Sequence, residues 1–234
     1  MSYKALVLAA GKSTRIAKAA GGIPKPLLEI KGEPVLIHNL KLLAKHGVNE
    51  AWINLHFKLN AVRECVGDGS KWGVSVRYWH EKEILGTAGA LKNLEREFSG
   101  GPHYVVYGDN YTDCDLTEMM HQHIEKKVAA TIAVFDASKN PNSGIAGGKI
   151  KVNPEGFIEE FNEGGGSGGR VNAGVYVLEP SVLENISKGF SDFGKDVFPD
   201  LLKAKKKIYA YSLKGFCFAV DTPESYERTR ALTR

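Results

Sequence analysis

The sequence predicts an α/β fold, a sheet with parallel strands covered by helices, and three observations carry that expectation. Strand-like and helix-like segments alternate through the first half of the chain. The second half is richer in strands and in glycine, with only one low-complexity tract, Gly164-Gly165-Gly166-Ser167-Gly168-Gly169. The length of 234 residues fits one large domain with a full core rather than two domains of ordinary size.

Taken in order, Tyr3 to Leu8 reads as the first strand, an apolar run too short for a helix and bounded by Gly11. Val35 to His46 carries Leu36, Ile37, Leu40, Leu43 and Ala44 at helical spacing and stops at Gly47. Glu50 to Leu55 is the second strand, Leu59 to Val66 a helix, and Val74 to Trp79 the third strand. Thr87 to Phe98 reads as a helix, and Tyr104 to Tyr107 as the central buried strand. Ala129 to Phe135, Lys149 to Val152, Phe157 to Phe161 and Val171 to Leu178 read as further strands, with a turn at Pro154-Glu155-Gly156. A strand at Phe218 to Val220 leads into a last helix from Pro223. The glycine tract cannot fix its own backbone and is expected to be a mobile loop. Neither an internal repeat nor an interdomain linker is visible.

A hydrophobic fraction of 43% with 25% charged residues is that of an ordinary soluble globular protein. Apolar runs fall far short of the roughly 18 residues that span a bilayer, so no membrane partner is expected. Met1 to Lys4 leads straight into a strand with no sign of a signal peptide, which points to a cytoplasmic location. The net charge of +4 is mild, and the basic run from Lys203 to Lys207 reads as a solvated helix end rather than a nucleic-acid patch. Cys65, Cys114 and Cys217 are odd in number and widely spaced, as free thiols in a reducing compartment would be. The seven histidines show no metal spacing, and His103, His121 and His123 are expected at the surface or at strand edges.

The residues that carry chemistry begin where the first strand ends. Leu8-Ala9-Ala10-Gly11-Lys12-Ser13-Thr14-Arg15, followed by Pro24-Lys25-Pro26-Leu27, places a small-residue turn and three cations after a hydrophobic strand. Small residues let backbone N–H groups approach phosphate oxygens, and Lys12, Arg15 and Lys25 can neutralise a triphosphate. A Walker A loop is excluded, because it needs a second glycine five positions before Gly11 and that position is Leu6. Nor does a G-x-G-x-x-G dinucleotide fingerprint occur here.

Together, A-A-G-x-S-T-R and P-K-P-L resemble the signature of the sugar-1-phosphate nucleotidyltransferases, whose pattern is G-G-x-G-T-R-L and then P-K-P. Ala9-Ala10 replace the frequent glycines and Ser13 stands where glycine is usual, small for small in each case. Further segments follow in family order. Glu81-Lys82-Glu83-Ile84-Leu85-Gly86-Thr87-Ala88-Gly89 is similar to E-x-x-P-L-G-T-A-G, with Ile84 for proline. Its glycines would let base and ribose lie against backbone, and Thr87 would cap the following helix. A carboxylate at Glu81 suits the adjacent donors of guanine, which favours GTP. Gly108-Asp109 at the end of the central strand and Asp221 in Val220-Asp221-Thr222-Pro223 match the two metal-binding aspartates of the family, here for Mg²⁺. Asp221 could also serve as the N-cap of the last helix. Val171-Asn172-Ala173-Gly174-Val175-Tyr176 resembles the N-A-G-x-Y strand of the sugar pocket, in which Gly174 would leave room for the pyranose.

The resemblance implies a Rossmann-like domain spanning residues 1–234, with a mixed, mostly parallel central sheet flanked by helices. A nucleotide-binding part would cover about residues 1–125 and a sugar-binding part about 126–234. The nucleotide would meet Leu8, Ala9, Ala10, Gly11, Lys12, Ser13, Thr14, Glu81, Gly86, Thr87 and Gly108, with Arg15 and Lys25 as the catalytic cations. The sugar would meet Asn110, Gly144, Glu163, Asn172 and Lys195. Glu163 matches the Glu of the family's E-K-P, but Gly164-Gly165 stand where Lys-Pro is usual, so Arg170 or Lys195 would supply the lost charge. The segment Phe193-Gly194-Lys195-Asp196-Val197-Phe198-Pro199 resembles guanylyltransferases acting on mannose 1-phosphate and D-glycero-D-manno-heptose 1-phosphate. The implied reaction joins an NTP and a sugar 1-phosphate into an NDP-sugar and pyrophosphate, of use in lipopolysaccharide or capsule synthesis. Thymidylyl, uridylyl or cytidylyl transfer, or a regulatory subunit that binds nucleotide sugars without turnover, stays open, as does a homodimer. Nucleic acid is not an expected partner.

Overall fold

The computed structural model describes residues 3–16, 21–139, 143, 145, 149–162 and 169–233. Strand β1 (Tyr3–Leu8) leads through the first loop to two short strands, β2 (Glu29–Ile30) and β3 (Glu33–Pro34), and to helix α1 (Val35–Lys45). Then come β4 (Val48–Leu55), α2 (Leu59–Val66) and β5 (Ser75–His80). The segment expected as one helix from Thr87 is two, α3 (Gly86–Asn93) and α4 (Glu95–Phe98). Between them Leu94 leaves helical geometry, at φ −103° and ψ 20°, and its N–H turns tightly back to the carbonyl of Leu91.

Strand β6 (His103–Tyr107) is followed by β7 (Asn110–Thr112), α5 (Leu116–Lys126) and β8 (Ala130–Asp136). Strands β9 (Lys149–Val152), β10 (Ile158–Asn162) and β11 (Arg170–Leu178) precede α6 (Phe198–Lys203) and β12 (Ile208–Ser212). The chain closes with β13 (Cys217–Ala219) and α7 (Pro223–Leu232). Among the described residues no helix is long and apolar enough to cross a membrane.

The central sheet is mixed and runs β10-β9-β11-β6-β1-β4-β5, with β8 along β11 and β12 along β8. Strands β6, β1, β4 and β5 are mutually parallel, whereas β11 runs antiparallel to β6 and β8. Parallel strands end on one side, so Leu8, Asn54 and Tyr107 fall in register along a single edge of the sheet. Alternate residues of each strand feed opposite faces. Ala5, Val7 and Val106 pack with Leu36, Leu40 and Met119 on one face; Leu6 and Val105 pack with Leu91, Phe98 and Tyr176 on the other.

Two histidines depart from expectation. His103 and His123 are both buried, and burial pushes their pKa values down to about 4, so each is neutral at neutral pH. His123 is tolerated inside α5 because Thr131 Oγ1 lies 2.9 Å from its Nδ1; His121, on the same helix, is exposed as expected.

An aromatic cluster ties the segment from Phe193 to Phe198 to the sheet: the Tyr176 ring lies 5.3 Å from Phe193 and 5.0 Å from Phe198, and the two phenylalanines stack at 5.6 Å. Phe198 is fully buried. Phe198→Ala is expected to cost about 3–5 kcal/mol, seen as a lower urea midpoint for unfolding. An unchanged midpoint would show that the cluster does not hold this segment.

Candidate active site

The shared edge of the parallel strands opens into a cavity of about 520 Å³. Its lining includes one half-buried cation, Lys25. Lys25 opens a single 3-10 turn, Lys25–Leu27, whose Pro26 is buried. Its ammonium lies 2.7 Å from Asp109 Oδ2 and 2.7 Å from Asp221 Oδ1. Arg15 meets the other oxygen of Asp221 at 2.6 Å, but its side chain is 69% exposed against 14% for Lys25. Burial is the largest influence on Lys25 and by itself would lower its pKa; the two carboxylates together outweigh it and raise the pKa. The stability gained from this shift is therefore complete below the unfolded value near pH 10.5 and is lost only as pH rises through the higher folded one.

Each partner is placed by local chemistry. Ser13 adopts a left-handed backbone, φ +56°, which explains why glycine is usual there; here its hydroxyl accepts the Lys25 N–H at 3.0 Å. Asp109 follows Gly108, whose N–H donates to the Leu8 carbonyl at 2.9 Å, and a Cβ at 108 would come 2.9 Å from that oxygen. Asp221 is not the cap of α7. Thr222 is, in a capping box with Ser225, which frees the Asp221 carboxylate for the two cations.

The nucleotide-side residues come together in part. Leu8, Ala10, Gly11, Glu81, Gly86 and Thr87 line the cavity; Lys12 and Thr14 are exposed and do not. The Ala9 N–H donates to Asn54 Oδ1 at 2.8 Å, and Asn54 Nδ2 donates to Glu81 Oε1 at 2.8 Å. The second Glu81 oxygen accepts the Leu85 N–H at 3.2 Å. Both oxygens expected to face a base thus already serve the chain.

Thr87 does not cap its helix. Leu85 occupies the N-cap position without a side-chain bond, and the Ser191 carbonyl accepts from Ala88 N–H and Gly89 N–H instead. The Thr87 hydroxyl turns to Asp192, 3.1 Å away, and to the Phe193 N–H. The space left by Gly86 and Gly89 is taken by the backbone carbonyls of Ser191 and Gly189, so these glycines serve close packing of the chain on itself.

On the opposite wall Asn110, Asn172 and Gly174 line the cavity. Asn110 Nδ2 donates to the Ala173 carbonyl at 2.9 Å. Asn172 donates to the Tyr176 hydroxyl and accepts the Gly174 N–H, which commits its amide to the strand itself. Gly174 is required by its φ of +71° and by Asn110 and Tyr107, each 2.8 Å from where a Cβ would stand; its clearance is filled by those side chains rather than left for a pyranose. Gly144, Glu163 and residues 164–168 of the glycine tract lie outside the described residues. Lys195 is exposed and, like Arg170, does not line the cavity.

Sequence reasoning missed Asn54, Asp192, Ile145 and Phe190, a ring 68% exposed at the rim. Asn54 had a signal, a polar side chain set between the apolar Ile53 and Leu55 near the end of a strand. Among the described residues no group of three or more His, Cys, Asp or Glu could enclose a metal ion. Asp109 and Asp221 alone fit Mg²⁺, which takes one or two carboxylates and completes its shell with phosphate and water.

The chain is 31% identical over 90% of its length to a UTP--glucose-1-phosphate uridylyltransferase of Synechocystis, covering 58% of that protein. It is 29% identical over 95% of its length to a mannose-1-phosphate guanyltransferase of Yarrowia lipolytica, covering 62%. It thus spans about 60% of the length of these relatives. The crystal structure of HddC from Yersinia pseudotuberculosis superposes with a TM-score of 0.81 at 24% identity, covering 99% of this chain and 100% of that one. The inositol-1-phosphate CTP transferase from T. maritima does so with a TM-score of 0.81 at 17% identity, covering 97% and 95%. The nucleotidyl transferase family model matches residues 4–231, and the chain belongs to that family.

Proposed function

We propose that this chain transfers a nucleotidyl group from a nucleoside triphosphate to a sugar 1-phosphate, releasing pyrophosphate. The observation that carries the reading is Lys25, held between Asp109 and Asp221 beside the small-residue turn after β1. GTP and a manno-configured hexose or heptose 1-phosphate are the favoured pair. Support comes from the guanylyltransferase-like segment Phe193 to Pro199 and from relatives named for guanylyl transfer to mannose 1-phosphate. The Glu81 carboxylate adds little to this choice, because its oxygens accept from Asn54 and Leu85.

The reaction asks for little acid–base chemistry. A phosphate monoester has its second pKa near 6, about one unit below neutral pH, and is already mostly dianionic. One of its oxygens bonds to the α-phosphorus as the bond from that phosphorus to the β-bridging oxygen breaks, and pyrophosphate departs with the electron pair. Backbone at Ala10 and Gly11 would receive the triphosphate without side-chain obstruction. Lys25 would steady charge on the α-phosphoryl group, and the exposed Arg15 would meet the leaving pyrophosphate. Mg²⁺ held by Asp109 and Asp221 would neutralise and orient phosphate oxygens.

Pyrophosphate release measured across GTP, dTTP, UTP, CTP and ATP, each with several sugar 1-phosphates, is expected to be fastest for GTP with a manno-configured partner. No release with any pair would overturn the reaction and favour a binding subunit. Asp109→Ala or Lys25→Ala should each lower turnover at least about 100-fold, the scale of one lost electrostatic contact. Near-normal rates in either variant would remove that residue from the mechanism. Chelation with EDTA should abolish turnover and excess Mg²⁺ restore it; activity that persists in EDTA would exclude the metal role of the two aspartates.

A further inference from the structure

We infer that Asn54 is a positioning residue for the triphosphate-binding turn, fixed in its working orientation by Glu81; the inference rests on the reaction proposed above. Asn54 lies near the end of β4, opposite Leu8 in register, and both it and Glu81 are 2% exposed while lining the cavity. The amide of Asn54 has one accepting end and one donating end. Ala9 N–H is a donor whose position the backbone fixes, so it takes the Asn54 oxygen and leaves the Asn54 NH₂ facing residue 81. Residue 81 must therefore accept. It must accept a second time as well, because the Leu85 N–H faces its other oxygen. A carboxylate meets both demands and a neutral amide meets one, so the identity of Glu81 follows from Asn54 and Leu85 without reference to a base.

The outcome is a run of three hydrogen bonds from the turn after β1, across β4, to the entry of α3. Both ends of the run reach the cavity, at Ala10 and Gly11 on one side and at Gly86 on the other. The Asn54 and Glu81 side chains are buried and hydrogen-bonded to each other and to backbone, which makes the run rigid and sensitive to loss of either member. The two walls that receive the nucleotide are thereby set at a fixed separation, whereas the sugar wall around Asn110 and Asn172 is held by separate bonds.

The polarity of the middle bond can be reversed. In the double variant N54D/E81Q, the new carboxylate accepts from Ala9 N–H and from the new amide NH₂, and the amide oxygen accepts from Leu85 N–H. All three bonds return with the central donor and acceptor exchanged. N54D alone sets two carboxylates face to face, and E81Q alone must abandon one of its two donors. Each single variant is expected to weaken nucleotide binding about tenfold or more, measured by calorimetry and as KM for the nucleotide that the wild type uses, with KM for the sugar 1-phosphate within about twofold. The double variant should recover to within about threefold of wild type. Losses that add in the double variant, or that fall equally on both substrates, would overturn the inference. Should N54D fail to fold, the comparison of E81Q with the double variant decides, since the double variant must bind the nucleotide more tightly. A wild type that binds nucleotide without releasing pyrophosphate overturns the reaction and leaves this test standing; one that binds none of the five nucleotides overturns both.

Discussion

The site depends on the placement of one half-buried ammonium. Lys25, Asp109 and Asp221 come from the first loop, the end of the central strand and the entry to the last helix, and they meet at 2.7 Å on either side of Nζ. A buried cation without anions would be driven to lose its proton, and paired carboxylates without a cation would repel. The contact therefore joins three segments that are distant in the chain, and the neighbouring details serve it. Ser13 holds the backbone of Lys25, Gly108 lets the β6 end press against β1, and Thr222 takes over helix capping so that Asp221 stays available.

A second constraint is how space near the cavity is used. Glycines in substrate-binding motifs invite the reading that they make room for substrate. Here the room at Gly86 and Gly89 is filled by carbonyls of residues 189 and 191, and that at Gly174 by Asn110 and Tyr107. These glycines let chain approach chain, and the cavity gains its shape from that approach. The Phe193–Phe198 stack against Tyr176 anchors the same 189–192 segment, so the wall beside α3 is built from residues about 100 positions away from it.

Much of this was legible in the sequence. The parallel strands and the first helices follow from local patterns that tertiary contacts reinforce, and the P-K-P lysine and the two strand-end aspartates stand out one by one, but nothing local shows that they meet. Helix α5 was not anticipated although Leu116, Met119 and Met120 mark its buried face, because the fourth buried position is His123, and only a partner such as Thr131 makes a histidine acceptable there. The role of Thr87 was misread because it stands next to a helix start, where a local cap is the natural expectation, and it is recruited instead by a side chain and backbone far along the sequence; of the two roles open to Asp221, the cap goes to Thr222. Asn54 illustrates the same limit, since nothing in its neighbourhood reveals that Ala9 and Glu81 flank it.

The cavity's charge makes the loss of the lysine from the E-K-P segment matter. The described lining of the cavity holds two cations, Arg15 and Lys25, against four carboxylates, Glu81, Asp109, Asp192 and Asp221, a formal balance of −2. A triphosphate and a sugar phosphate are both polyanions, and a cavity of that sign would repel them at close range. Arg15 and Lys25 are already paired with Asp109 and Asp221, so they cannot offset the substrates unless those carboxylates find other cations. Lys195 and Arg170 do not reach the lining and cannot close the gap from where they stand. The proposed reaction thus places a heavier demand on divalent cations than it would in a relative that keeps the lysine. Asp109 and Asp221 are the residues that would hold such a cation, which would supply the missing positive charge, and Lys25 and Arg15 are the side chains that would then serve the substrate.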